Sequence, residues 1–175
     1  GGCSSMNAMM WVRGFRADYE EWGLLAGEQW NWAAAVEQFR KIENVQDAQF
    51  PDEGSRGPQH VQRQRSPRAS THAFLEAVRQ AGHELESANR PAPEGFTQTM
   101  VTQRDGRRWS TADAYLRPAM KRSNLTVHAE ALATKVLFEG TRATGVEYRQ
   151  GGQTRTVTAA REVTAPLMCD ASVAV

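Results

Sequence analysis

Lysine is scarce in this 175-residue chain: only Lys41, Lys121 and Lys135 occur, and arginine carries nearly all the positive charge. The arginine excess is read as a compositional bias rather than a phosphate site. The cluster Arg63, Arg65 and Arg68 is interleaved with Gln and Ser and reads as a solvated loop. Cysteine is scarcer still. Cys3 and Cys169 are too few for a disulfide framework, and their spacing is not that of a metal site. Excess charge of one sign is also missing. A formal net charge of +1 gives no reason to expect nucleic acid or an acidic partner. No apolar run approaches a membrane span, no signal peptide is visible, and a cytoplasmic location is expected. No internal repeat is evident. The sequence starts without Met, directly on Gly-Gly, which reads as a fragment or a trimmed gene model rather than a natural N-terminus. What is present is ordinary globular material. With 40% hydrophobic and 23% charged residues, the length suits one domain with a sizeable core.

The most informative stretch is the first fourteen residues, Gly-Gly-Cys-Ser-Ser-Met-Asn-Ala-Met-Met-Trp-Val-Arg-Gly. Glycine lets backbone approach a bulky ligand because no Cβ intervenes. Ser4 and Ser5 can cap a helix beginning in the run Met6–Val12. Asn7 carries both a donor and an acceptor, which suits the edge of a heteroaromatic ring. The segment thus reads either as a capped surface helix or as a ligand-contacting loop.

Further along, Ala17–Trp22 has the pattern of a short amphipathic helix. Ala35, Val36, Phe39 and Ile42 recur at helical spacing over Ala33–Asn44, with Asn31 as the cap. Residues 45–68 read as a loop that holds a short strand over Gly57–Val61. Thr71–Gly82 is helical, with Gly82 as the stop, and 83–95 is another loop. Phe96–Gln103 alternates like a strand and ends at the turn signal Asp105-Gly106. Thr111–Arg122 reads as a short helix and Leu125–Val127 as a brief strand. Leu132–Phe138, Gly145–Arg149 and Thr154–Val163 read as three strands of an antiparallel meander, separated by Glu139-Gly140 and Gly151-Gly152. The fold class expected is therefore mixed α/β (α+β) with an antiparallel β-meander.

The opening string resembles the flavin-contacting signature of the glucose–methanol–choline oxidoreductases, with Trp11 and Gly14 at the family's aromatic and small positions. The likeness continues through Arg13-Gly14, Asp18-Tyr19 and Trp22, then Gly57-Pro58 and Ala73–Ala77. It goes on through Gly95-Phe96 and Gly106–Leu116, Asn124–Val127, Val136–Gly140 and Gly145–Tyr148. It thus covers about residues 1–163 and points to choline-dehydrogenase-like members. The resemblance implies an incomplete FAD-binding domain plus part of a substrate domain. Residues 1–30 would be the flavin-contacting loop and helix, 31–122 the partial substrate-binding domain, 123–163 the FAD-domain strand and meander, and 164–175 a divergent tail. The family's pyrophosphate turn is not matched in this sequence, and its catalytic His and partner would lie beyond residue 175.

The resemblance implies noncovalent FAD, since some relatives attach the flavin through a His where Met6 stands. It places Gly2, Ser4, Asn7, Ala8, Met9 and Met10 against the isoalloxazine or its ribitol linkage, and Ala133 at the adenine. Cys3 is expected to be a small buried group. It implies a small-molecule alcohol substrate, choline or another primary alcohol, with hydride passing to the flavin. An inactive truncated chain or a small binding module is the alternative. No catalytic residue is assigned to His60, His72, His83 or His128, whose contexts and spacings fit neither a base nor a metal site, and His72 and His83 are expected at the surface. Asp113 is expected to compensate a helix start and Tyr115 to sit in the core. Trp109 and Phe96 either line a substrate pocket as a cation-binding surface or pack within the sheet.

Overall fold

The computed structural model describes residues 2–46, 48 and 50–165. Cys169 and nearly all of the expected divergent tail lie outside the described residues. The chain divides into two compact units, one of Gly1–Met6 with Pro118–Val175 and the other Asn7–Arg117. Both helices and strands are present, with short antiparallel pairings dominant, as the composition and turn signals predict.

The Asn7–Arg117 unit opens with a helix hairpin. α1 (Arg16–Ala26) starts where the Phe15 N–H donates to the Asp18 carboxylate at 2.9 Å. α2 (Trp32–Ile42) is capped as expected, with Asn31 Oδ1 accepting from the Ala34 N–H at 2.9 Å. Asn31→Ala should therefore cost about 1 kcal/mol, read as a lower urea midpoint with an unchanged slope. Tyr19 on α1 meets Trp32 and Phe39 on α2 at centroid distances of 5.7 and 6.2 Å.

α2 ends at Ile42 rather than Asn44, because Glu43 opens a strand. β1 (Glu43–Val45) runs parallel to β2 (Gln59–Arg63), and β2 is antiparallel to β3 (Met100–Val101). The core lies along this sheet, where Val45, Val61 and Val101 are buried. Gly57 makes the close approach possible. Its N–H donates to the Glu43 carbonyl at 2.7 Å, and a Cβ there would stand 2.1 Å from the Ile42 backbone. Gly57→Ala should consequently destabilise the unit by at least about 1–3 kcal/mol, measurable in the same urea titration. α3 (Ala69–Gln80) ends before Gly82, whose φ of 85° supplies the stop.

The expected strand 96–103 is broken up. β3 is followed by Thr102, whose N–H donates to the Met9 carbonyl and whose carbonyl accepts from the Trp109 N–H. β4 (Gln103–Arg104) and β5 (Arg107–Arg108) then form a hairpin around Asp105 and Gly106, with φ of 52° and 78°. Two consecutive positive φ values are what a two-residue type I′ turn needs. The helix expected over 111–122 forms over a shorter span and with wider geometry, as a π-turn, Ala112–Leu116, continued by one turn at Arg117–Ala119. Pro118 has no N–H to give to the carbonyl four residues back, so a regular ladder is interrupted there. Tyr115 is 44% exposed, not core, and Ala114 takes the buried position. Asp113 does hold the turn's start: its carboxylate accepts from the Ser110 N–H and Oγ and pairs with Arg117 at 2.8 Å.

In the other unit, β6 (Leu132–Glu139), β7 (Arg142–Gln150) and β8 (Gln153–Thr158) form the expected antiparallel meander in the order β6-β7-β8. Gly151 and Gly152, at φ 57° and 79°, make the second hairpin turn. Among the described residues of this unit, Val146 and Ala159 are the buried apolar ones. The strand expected at Leu125–Val127 does not form, since the Leu125 N–H is taken locally by the Arg122 carbonyl. The third strand stops at Thr158 rather than Val163.

Candidate functional site

The opening segment contributes to both units, and its two pieces are built differently. In the first, Cys3–Ser5 form a 3-10 turn, with the Ser5 N–H donating to the Gly2 carbonyl at 3.0 Å. Gly2 sits at φ 77°, and a Cβ there would meet no atom within 4 Å. Glycine is thus required by backbone conformation, and the backbone is open to close approach. Ser4 is half-buried, and so is Cys3, which is not the fully buried group expected. Met6 is 67% exposed.

No helix follows over Met6–Val12. Asn7, Ala8, Met9 and Met10 form a loop laid along the β3 edge. Met10 bridges Val101, the Trp11 N–H donates to the Met100 carbonyl at 2.9 Å, and the Met9 carbonyl accepts from the Thr102 N–H at 2.8 Å. Asn7 Oδ1 accepts from the Met9 N–H at 3.0 Å, and Met9 stands at φ 61°. A left-handed methionine is costly and ends any helix. The backbone groups a helix would have used are spent on the sheet edge and on Asn7. Asn7 and Ala8 are exposed, and Met10 is 62% exposed. Arg108 on β5 grips Asn7 from the other side, donating from Nη1 to Oδ1 at 2.7 Å and from Nη2 to the carbonyl at 2.8 Å.

The end of the loop is pinned by a buried polar cluster. The Arg13 guanidinium pairs with the Glu43 carboxylate through Nε and Nη2 and also reaches the Asp52 carbonyl at 3.0 Å. Trp11 Nε1 donates to Glu43 at 2.8 Å. Asn89 accepts from the Arg13 N–H at 2.8 Å and donates to the Trp11 carbonyl. Phe39 lies under the guanidinium, its ring centre 5.0 Å from Cζ. Both Arg13 and Glu43 side chains are 1% exposed. Sequence reasoning matched Arg13 and Arg108 only as parts of motifs and missed Glu43, Asp52, Asn89 and Thr102. Nothing in the local pattern marks Glu43, because it follows a helix and faces inward only once β1 pairs with β2.

The remaining candidates stand apart. Ala133 lies on β6 opposite Tyr148 of β7, half-buried beside a register shift. Trp109 packs edge-on against His60 at 5.0 Å, under Arg104, with its Nε1 donating to the Pro58 carbonyl. Phe96 packs instead on Phe74 and His83. The two rings thus pack on different partners. The Asn7–Arg117 unit does have two adjoining clefts, of about 410 and 430 Å³, that share Phe50, Arg63, Ser87, Thr97 and Gln98, but neither is lined by Asn7–Met10. His72 and His83 are exposed, as expected. Among the described residues no helix is long and apolar enough to cross a membrane.

Burial, reinforced by the Arg104 guanidinium, holds His60 below its ordinary value of 6.5. The unfolded chain then binds more protons than the folded one just below pH 6.5, so stability is full above that pH and falls as acid is added. Melting curves should show a Tm that declines from pH 7 toward pH 5, and His60→Gln should reduce that decline.

Comparison with known proteins converges on one family. The GMC oxidoreductase family model matches residues 1–170. The chain is 56% identical over 167 residues to an uncharacterized GMC-type oxidoreductase of Mycobacterium tuberculosis, covering 93% of this chain and 32% of that protein. It is 44% identical over 164 residues to the mitochondrial choline dehydrogenase of Homo sapiens, covering 93% of this chain and 28% of that protein. Its fold matches the crystal structure of pyridoxine 4-oxidase from "Mesorbium loti" with a TM-score of 0.80 at 28% identity, covering 90% of this chain and 32% of that one. The chain therefore spans about a third of the length of the proteins it matches.

Proposed function

Because the chain belongs to the GMC oxidoreductase family, we propose that it forms the flavin-facing part of an FAD-dependent oxidoreductase of alcohol CH–OH groups. In this reading Gly2, Ser4, Asn7, Ala8, Met9 and Met10 run along the isoalloxazine and its ribitol linkage, and Ala133 lies by the adenine. The observation that carries it is the Asn7–Met10 loop. Its inward hydrogen-bonding atoms are consumed by Thr102, Arg108 and the β3 edge, while its outer surface presents the Asn7 amide, Ala8 and an exposed Met10. That combination of one polar edge group and apolar surface fits a flat heteroaromatic ring. The open backbone at Gly2 fits the same group.

When bound, FAD accepts the hydride equivalent from the alcohol. The residues of this chain orient the ring and keep water from one side of it. Met6 has no nucleophilic nitrogen, so the flavin is held noncovalently. The substrate is a small alcohol, with choline or another primary alcohol favoured by the likeness to choline dehydrogenase.

The test is a graft. Residues 1–165 replace the matching segment of the human choline dehydrogenase, and flavin bleaching by choline and simple primary alcohols is followed anaerobically. Alcohol-dependent bleaching supports the reading, whereas a folded graft that holds no flavin overturns it.

A further inference from the structure

We propose that Arg108 is a positioning residue for the Asn7–Met10 loop. By occupying the oxygens of Asn7 it leaves the Nδ2 amide as the only hydrogen-bonding group that side chain offers, so Asn7 meets the flavin as a donor and never as an acceptor. The second half rests on the flavin reading above; the first does not.

The geometry is specific. Arg108 is delivered by the β4–β5 hairpin, where it pairs with Gln103 across the Asp105-Gly106 turn. Its guanidinium forks onto one residue, with Nη1 2.7 Å from Oδ1 and Nη2 2.8 Å from the carbonyl oxygen of Asn7. A planar guanidinium suits such a pair of acceptors, and a lysine does not. Oδ1 also accepts the Met9 N–H at 3.0 Å. An amide oxygen has two lone pairs, and both are now used. The network also fixes which way the amide faces: rotated by half a turn, it would set its own NH2 against two N–H donors. The Nδ2 group makes no hydrogen bond with a described residue and stands on an exposed side chain. A donor of that kind selects the carbonyl oxygens and unprotonated ring nitrogens of an isoalloxazine and rejects its N3–H.

The same contact holds the backbone. Met9 sits at φ 61°, a conformation that methionine does not keep unaided. It is retained because the Met9 N–H is fixed by Asn7 and its carbonyl by Thr102. Arg108 thus immobilises the acceptor on which the Met9 turn depends.

Amide exchange and side-chain spectra of the 175-residue chain, recorded by 15N NMR with FMN as the probe, test both halves. Arg108→Met should speed exchange at the Met9 amide about tenfold or more. Amides of β7 and the overall Tm should not change. Arg108→Lys, which can satisfy one oxygen, should fall between, and this partial rescue keeps the test decisive if Arg108→Met folds poorly. Unchanged Met9 exchange in both variants overturns the clamp.

Millimolar FMN should shift the Asn7 Nδ2 resonances. Asn7→Asp keeps an oxygen for Arg108 and Met9 but has no N–H, so Met9 stays protected while FMN affinity drops several-fold. Equal FMN affinity in Asn7→Asp overturns the donor assignment. If FMN shifts nothing in the unaltered chain, the flavin reading fails and the donor assignment with it, while exchange at Met9 still judges the clamp.

Discussion

Glu43→Gln is expected to destabilise the chain by about 3–5 kcal/mol, the largest effect of any single substitution considered. Arg13 would remain charged at a site where its side chain is 1% exposed, with an amide in place of its close partner and only the partly exposed Asp52 carboxylate, 3.4 Å away, left to balance it. The Trp11 Nε1–H and the Gly54 N–H would also lose a charged acceptor. A typical domain is stable by only about 5–15 kcal/mol, so the variant should lose most of its margin and expose the loop end at Trp11–Arg13. Urea unfolding followed by tryptophan fluorescence measures it. The double variant Arg13→Met with Glu43→Leu should recover part of the loss, because removing both charges is far less damaging than orphaning one. Recovery should be incomplete, since the Asp52 carbonyl and carboxylate also use the Arg13 guanidinium. A loss below about 1 kcal/mol in Glu43→Gln would show that water reaches the pair and that it is worth no more than a surface one.

The second large effect concerns turnover. The 175-residue chain, given FAD, an electron acceptor and an alcohol, should show no alcohol oxidation above background, whereas the graft should turn over. None of its four histidines stands in a context suited to a base. His60 is packed against Trp109, His72 and His83 face solvent, and His128 lies on Tyr148. Lack of a general base alone removes roughly 10²–10⁴-fold of rate. Oxygen uptake and dye reduction with choline and primary alcohols provide the comparison. Measurable turnover by the unaltered 175-residue chain would mean that a base has been overlooked among residues 1–175.

How much of this was legible in the sequence depended on where the determining contacts lie. The meander was readable because its signals are local: apolar runs and the Gly151-Gly152 turn fix β7 and β8 without outside help. Asn31 announced its cap for the same reason. The residue pattern of the opening segment left a capped helix and a ligand-contacting loop both open, because its conformation is decided by Thr102, Met100 and Arg108, about a hundred residues away, and by a left-handed Met9 that no propensity favours. Glu43 was placed on a helix for a similar reason: only the pairing with Gln59 and the close approach of Gly57 turn it inward. The candidate site residues were proposed from family likeness, not from spacing. The groups that hold them, Arg108 and the Arg13–Glu43 pair, became visible only with the fold.

The central claim is that the Gly2–Met10 segment, through Asn7, meets the flavin ring. It is tested most directly by comparing the unaltered graft with its Asn7→Ala variant in rapid-mixing measurements of flavin reduction by choline. The account predicts about one noncovalent flavin per unaltered graft. It also predicts a reduction rate lower by roughly 3–10-fold in Asn7→Ala, the size of one lost hydrogen bond, with a displaced flavin absorption band. A folded graft without flavin, or an Asn7→Ala variant identical in spectrum and rate, would contradict it.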